Sequence, residues 1–302
     1  MEIVVFGAGS LGSLIGGLLA REHDVTLVAR EAHARAVRES GLRLEGAIFD
    51  SPARVFPAAT DDGTGLEAEL AVVTVKSFDT ASAADRLATG AIDGVLSLQN
   101  GMGNEATLAA RLDVPVLAGT ATYGAILQEP GVVECTGIGE VVLGARDGGP
   151  SPLADRVGEA FATAGLETAI AEDMPRRLWE KLAVNAGINP VTALTATENG
   201  AVLEEPATDR SRAAVRETAR VARACDVSLS NREALAAMEA VASATAANTS
   251  SMRQDVLADR RTEIDAINGY VVDQATELGL EVPTNRTLTA LIRTWECGRK
   301  LR

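Results

Sequence analysis

Histidine is almost missing from this 302-residue chain: only His23 and His33 occur, both near its beginning. That scarcity nearly excludes a histidine-rich metal site, a Ser-His-Asp triad and an imidazole acid–base pair. The three cysteines, Cys135, Cys225 and Cys297, are odd in number, far apart and without metal-ligand spacing. They read as reduced thiols in a reducing compartment. Aromatics make up 3% of the residues, so any core must be aliphatic. No apolar run approaches the ~18 residues that a membrane span needs. Residues 1–20 are apolar, yet they lack a basic leader and carry a glycine fingerprint, so they do not read as a signal peptide. A cytoplasmic location is the expectation.

Lysine is nearly as rare. Lys and Arg together number 28, of which only Lys76, Lys181 and Lys300 are lysines, against 42 acidic residues. The net charge of −14 argues against a nucleic-acid partner. Two readings of the acidity stand side by side: adaptation to high salt, and GC-rich coding in an acidic proteome. Under either, an anionic ligand must be drawn by a few local cations and helix N-termini.

What is present is aliphatic bulk. The chain is 46% hydrophobic and long enough for two domains of ~150 residues each. Glu2–Phe6 reads as a strand, Gly7-Ala8-Gly9-Ser10-Leu11-Gly12 as a G-x-G-x-x-G turn, the stretch to Ala20 as a helix and Asp24–Ala29 as a second strand. In that order these elements point to dinucleotide binding. Gly7 permits the tight turn, Gly9 a close approach to a pyrophosphate, and Gly12 close helix–strand packing. The helix start near Ser10 then faces the phosphates. An NAD site usually has a carboxylate at the end of the second strand. Arg30 stands there instead, which suits the 2′-phosphate of NADP, although Glu31 follows at once and leaves NADH as the less favoured alternative.

Further strands are expected at Leu42–Glu45, Ala53–Phe56, Leu70–Val75, Val95–Leu98 and Val116–Tyr123, with a helix at Asp79–Leu87. Lys76 and Asn100 follow strand ends, where ligands lie in doubly wound folds. Val132–Cys135 and Val141–Leu143 read as a β-hairpin, Pro152–Ala164 as a helix and Leu166–Ala171 as the close of the first unit. From Glu172 strands vanish. The expected architecture is therefore α/β, with an N-terminal Rossmann-type doubly wound sheet over residues 1–172 and an all-α C-terminal domain over 173–302. Helices are expected at Arg210–Cys225, Asn231–Met252 and Glu263–Leu278, the last opened by a capping box at Thr262-Glu263-Ile264-Asp265.

The helical half opens with Leu178–Pro190, where Lys181, Asn185 and Asn189 recur at i, i+4 and i+8 and so share one face. A chain that otherwise prefers Arg keeps Lys here. An ammonium can give up a proton, whereas a guanidinium cannot. Asn248 and Ser251 form a second polar pair, spaced to share a face of the expected Asn231–Met252 helix. Glu263 reads either as a helix cap or as a ligand contact.

Together these segments resemble the ketopantoate reductase (2-dehydropantoate 2-reductase) family. The likeness rests on Gly7–Gly12, Gln99-Asn100-Gly101-Met102-Gly103, Lys181 through Asn189-Pro190, Ser250-Ser251-Met252-Arg253-Gln254-Asp255 and Thr262 through Gly269. It implies an NADPH-dependent oxidoreductase of pantothenate and coenzyme A biosynthesis that reduces ketopantoate to (R)-pantoate. By the resemblance Lys181 is the general acid, and Asn185, Asn189, Asn199, Asn248 and Ser251 bind the keto acid. Asn100 lies where nicotinamide and substrate meet. Gly7–Gly12, Arg30, Lys76 and Ala125 hold NADPH, and Glu263 contacts the bound ligands. Two other functions stay open: reduction of another branched 2-oxo acid, and a non-catalytic NADP-binding sensor. A homodimer through the helical half also stays open.

Overall fold

The computed structural model describes the whole chain, Met1–Arg302. By contact density it divides into two compact units. One comprises Met1–Gln99 with Asn104–Met174, the other Asn100–Gly103 with Pro175–Arg302. The short Asn100–Gly103 loop thus groups with the helical unit, whereas the sequence reading assigns it to the first domain.

In the first unit the strands are β1 (Glu2–Phe6), β2 (Asp24–Val28), β3 (Leu42–Gly46), β4 (Ala53–Val55), β5 (Ala58–Thr60), β6 (Glu67–Ala68) and β7 (Leu70–Val73). They continue as β8 (Ala91–Ile92), β9 (Val95–Ser97), β10 (Val116–Ala121), β11 (Gly124–Glu129), β12 (Val132–Gly137), β13 (Val141–Ala145) and β14 (Thr168–Ile170). The helices are α1 (Ser10–Leu19), α2 (Glu31–Ser40), α3 (Thr80–Leu87), α4 (Asn104–Ala109) and α5 (Pro152–Thr163).

The main sheet runs β14-β13-β10-β9-β7-β1-β2-β5. From β5 to β10 all neighbours are parallel. This is a doubly wound, Rossmann-type sheet. Ile3, Val5, Leu70 and Val72 feed one apolar cluster, while Val4, Phe6, Ala71 and Val73 feed another. The sheet is therefore buried on both faces, which is why Leu70–Val73 is apolar without alternation. Each large aliphatic side chain buried there contributes roughly 1.5–3 kcal/mol.

The expected hairpin between Val132–Cys135 and Val141–Leu143 is not formed. β12 pairs with β11 and β3 in a separate four-stranded sheet, β11-β12-β3-β4. β13 instead pairs antiparallel with β10 in the main sheet. The crossing is held where the Thr122 N–H donates to Glu140 O at 3.0 Å and the Glu140 N–H donates to Thr122 Oγ1 at 2.9 Å. Gly124 and Ala125 begin a further strand, β11.

The second unit is helical: α6 (Met174–Thr195), α7 (Ala207–Ala224), α8 (Asn231–Ala244), α9 (Ser251–Leu257), α10 (Tyr270–Glu277) and α11 (Pro283–Gly298). Mostly aliphatic residues build its core, among them Leu182, Ala183, Ala186, Val215 and Ala219. α8 opens on a capping box in which Ser230 Oγ accepts from the Glu233 N–H and Glu233 Oε2 accepts from the Ser230 N–H. The Ser230 hydroxyl and N–H, together with Arg176, pull the Glu233 carboxyl down to about 2. α8 stops at Ala244, short of the expected Met252. Ser250 then adopts an extended conformation and caps α9 by accepting from the Arg253 N–H at 3.2 Å. The expected capping box at Thr262 is also absent. The Thr262 hydroxyl accepts from the Ile264 N–H, and a π-helical turn, Asp265–Gly269, leads into α10.

No helix is long and apolar enough to cross a membrane.

Candidate active site

In the first unit the chain winds from β1 outward through β2 to β5, then returns to the other side of β1 as β7. Doubly wound sheets bind ligands at such a reversal, outside the carboxyl ends of the strands. Three of the sequence-derived positions lie there on adjacent strands: Gly7–Gly12 after β1, Arg30 after β2 and Lys76 after β7. Arg30 is exposed and Lys76 half-buried.

The loop after β1 has room for nothing larger than glycine at two points. Gly7 has φ +106°, and a Cβ there would lie 2.6 Å from the Val75 backbone nitrogen. A Cβ on Gly12 would lie 2.5 Å from Gly7 O. α1 starts at Ser10 with no side-chain cap and no acidic residue in its first turn. Its leading N–H groups are therefore left for a ligand, and the helix dipole favours an anion. That cradle fits the pyrophosphate of a dinucleotide. Ser10 Oγ accepts from the Leu127 N–H at 3.1 Å, tying β11, and with it Ala125, to the same helix start. Gln99 steadies the neighbouring strand end, its Nε2 donating to Val75 O at 3.0 Å and to Thr80 Oγ1 at 2.7 Å.

His33 supports the loop from behind, a role with no sequence signature. The Gly131 N–H donates to His33 Nδ1 at 3.0 Å, so Nε2 carries the proton and donates to Ser13 Oγ at 3.0 Å. Ser13 in turn donates to Ala8 O at 3.2 Å. Burial, then the charge of Arg30, hold His33 below the ordinary histidine value. A depressed folded-state value means that stability is fully present above the unfolded-state value and is lost as pH falls through the folded one. The melting temperature should therefore drop on acidification through the histidine range, and drop less in His33→Gln. An equal drop in both proteins would dissociate His33 from the acid sensitivity.

In the second unit Lys181, Asn185 and Asn189 lie on α6 in one stripe. Lys181 and Asn185 are half-buried, and Asn189 is buried with its Nδ2 unpartnered. Pro190 follows inside the helix. Without an N–H it leaves Ala186 O unclaimed. Asn268 Nδ2 takes that carbonyl at 3.1 Å and also donates to Asn285 Oδ1 at 2.9 Å. The interruption beside the stripe is thus closed by a fully buried amide, another role that sequence reasoning missed. Trp179 and Tyr270 pack with ring centroids 5.8 Å apart.

Asn199 begins a 3₁₀ turn. Its N–H donates to Asn248 O at 3.0 Å, and its Nδ2 donates to Thr245 Oγ1 at 3.0 Å. Asn199 is buried and Asn248 exposed, so these two meet through the backbone. Asn248 and Ser251 do not share a helix face, because Asn248 precedes the cap of α9 and Ser251 is its first residue. Ser250 Oγ lies 2.7 Å from Thr192 Oγ1, which joins α9 to α6. A cavity of about 530 Å³ opens here, lined by Thr197, Glu198, Gly200, Ala246 and Arg253, among others. Nε and Nη1 of Arg253 are buried without partners. Glu263 is buried just before the π-helical turn, and the Met102 N–H, two residues after half-buried Asn100, donates to Ala266 O at 2.9 Å.

A doubly wound sheet with a glycine loop at a helix start, followed by an all-helical unit, is the layout of a class of pyridine-nucleotide-dependent oxidoreductases. Comparison with known proteins narrows this. Residues 3–148 match the family model described as ketopantoate reductase PanE/ApbA, and residues 173–296 match its C-terminal counterpart. The 2-dehydropantoate 2-reductase of Halobacterium salinarum is 45% identical, over 97% of this chain and 98% of that protein. That of Pyrococcus horikoshii is 37% identical over 98% of each. The crystal structure of a PanE/ApbA family ketopantoate reductase from Ralstonia eutropha superposes with a TM-score of 0.91 at 34% identity, covering 99% of this chain and 100% of the other. The chain belongs to the ketopantoate reductase family.

Proposed function

We propose that this chain reduces the ketone of 2-dehydropantoate to the hydroxyl of (R)-pantoate, with NADPH as reductant, as a step in pantothenate and coenzyme A biosynthesis in the cytoplasm. The observation that carries the chemical reading is the α6 stripe. One ammonium, Lys181, stands in line with two amides, Asn185 and Asn189, on a helix locked at its proline. When bound, a reduced nicotinamide supplies a hydride. The chain must then meet negative charge developing on the ketone oxygen and deliver a proton to it. A protonated lysine does both. The amides of Asn185 and Asn189 donate to the substrate and fix its pose without adding charge. Ser251 and neighbouring backbone N–H groups serve the carboxylate, with Asn199 and Asn248 shaping the same region and Asn100 placed where the two ligands meet. Gly7–Gly12, Lys76 and Ala125 hold the dinucleotide, and Glu263 contacts the bound ligands.

NADPH is preferred over NADH in this reading because Arg30, not a carboxylate, follows β2 at the ribose end. A charge-assisted bond to a 2′-phosphate is worth about 1.5–3 kcal/mol. Arg30→Ala should therefore weaken NADPH binding roughly ten- to a hundredfold and leave NADH within about twofold. Titration of both nucleotides by protein fluorescence tests this. Equal losses for the two would remove Arg30 from the 2′-phosphate site.

A further inference from the structure

Glu296 lies on α11 with no exposed surface. A buried carboxylate is costly unless its oxygens are fully hydrogen-bonded. Here they are occupied in a particular way. Oε1 accepts both the backbone N–H of Thr262, at 2.8 Å, and its hydroxyl, at 2.7 Å. Oε2 accepts Nε of Arg302 at 2.6 Å. The Thr262 oxygen that donates to Glu296 also accepts from the Ile264 N–H at 3.3 Å. Glu263, between these two residues, is therefore held from both sides: Thr262 directly, and Ile264 through the Thr262 hydroxyl.

A second layer surrounds this contact. Arg302 also pairs with Asp265, which receives Arg293 at 2.8 Å and Arg261 at 3.4 Å. Burial pushes the Asp265 carboxyl up, but its bonds to Arg293 and Arg302 outweigh that and hold it below the ordinary aspartate value. Asp265 thus stays charged and keeps Arg302 oriented toward Glu296. The π-helical turn that follows places the Gly269 N–H on Ile264 O at 2.8 Å, which pins the far side of the segment. Wide turns of this kind often mark functional sites.

We infer that Glu296 is a positioning residue: acting through Thr262, it sets the direction in which Glu263 presents its carboxylate to the bound ligands. The inference rests on the ligand-contacting role proposed above for Glu263. Nothing in the linear sequence couples positions 262 and 296.

The test is a double-mutant cycle on the full chain, read by the NADPH dissociation constant and the KM for the 2-oxo acid. Thr262→Val keeps the shape of the side chain and removes the hydroxyl. It should raise the constant that Glu263→Gln raises, by about tenfold. Thr262→Ser restores the hydroxyl and should stay within about twofold of the wild type. The double variant Thr262→Val with Glu263→Gln should be no worse than Glu263→Gln alone, because the hydroxyl acts only through that carboxylate. Losses that multiply, or a Thr262→Val with unchanged constants, would overturn the inference. So would a Glu263→Gln that binds and turns over normally. Should Thr262→Val fail to fold, Glu296→Gln takes its place, with the same rise expected and the same overturning result. If the wild type reduces no 2-oxo acid, the proposed activity fails while the NADPH constant still decides the positioning role.

Discussion

Replacing Lys181 by alanine lowers kcat about a hundred- to ten-thousandfold, the range lost when a positioned proton donor is removed. NADPH binding and the melting temperature stay near the wild-type values in this expectation, because Lys181 belongs to the helical unit and the glycine loop to the other. The size of the effect follows from the absence of a substitute. The only histidines are His23, which bonds Ala160 O at 2.9 Å, and His33, which is committed to Ser13 and Gly131. Lys181→Arg is the sharper variant. It keeps the charge and loses the usable proton, so KM should change little while kcat falls with the alanine variant. Near-normal turnover in either variant would remove Lys181 from the proton-donor role.

Gly12→Ala is expected to abolish useful dinucleotide binding. The added methyl would meet Gly7 O at 2.5 Å and the hydroxyl of Thr74, which itself donates to Gly7 O at 3.0 Å. Neither neighbour is the free end of a flexible chain. The helix must move off the strand, at a cost on the order of 1–3 kcal/mol, and the loop that faces the pyrophosphate moves with it. Titration with NADPH and a melting curve read the two consequences separately. Retained affinity together with a lowered melting temperature would mean that the loop is not the phosphate cradle.

The parallel sheet and the change to helices near Glu172 are legible in the sequence because their patterns are local. Leu70–Val73 is apolar on both faces, and the glycine loop sits between a strand and a helix. The misplaced hairpin shows where local reading ends. Val132-Val133 and Val141-Val142 look like neighbouring arms, but the antiparallel partner of β13 is β10, earlier in the chain, and Glu140 with Thr122 diverts the backbone from one sheet to the other. The expected helix likewise runs through Ala246 and Ala247, whereas α8 ends at Ala244 and Ser250 caps a separate helix. At the candidate site, residue types at strand ends and the α6 stripe can be read directly. Supporting residues cannot: Asn268 matters because Pro190 lacks an N–H, and Glu296 is one of 42 acidic residues until the fold buries it against Thr262.

The central claim is tested most directly by following the absorbance of NADPH in the presence of the purified protein and ketopantoate, with other branched 2-oxo acids and NADH as comparisons. The account expects NADPH to be consumed fastest with ketopantoate, in step with pantoate formed, and more slowly when NADH replaces it. Tight NADPH binding with no turnover of any 2-oxo acid would contradict it.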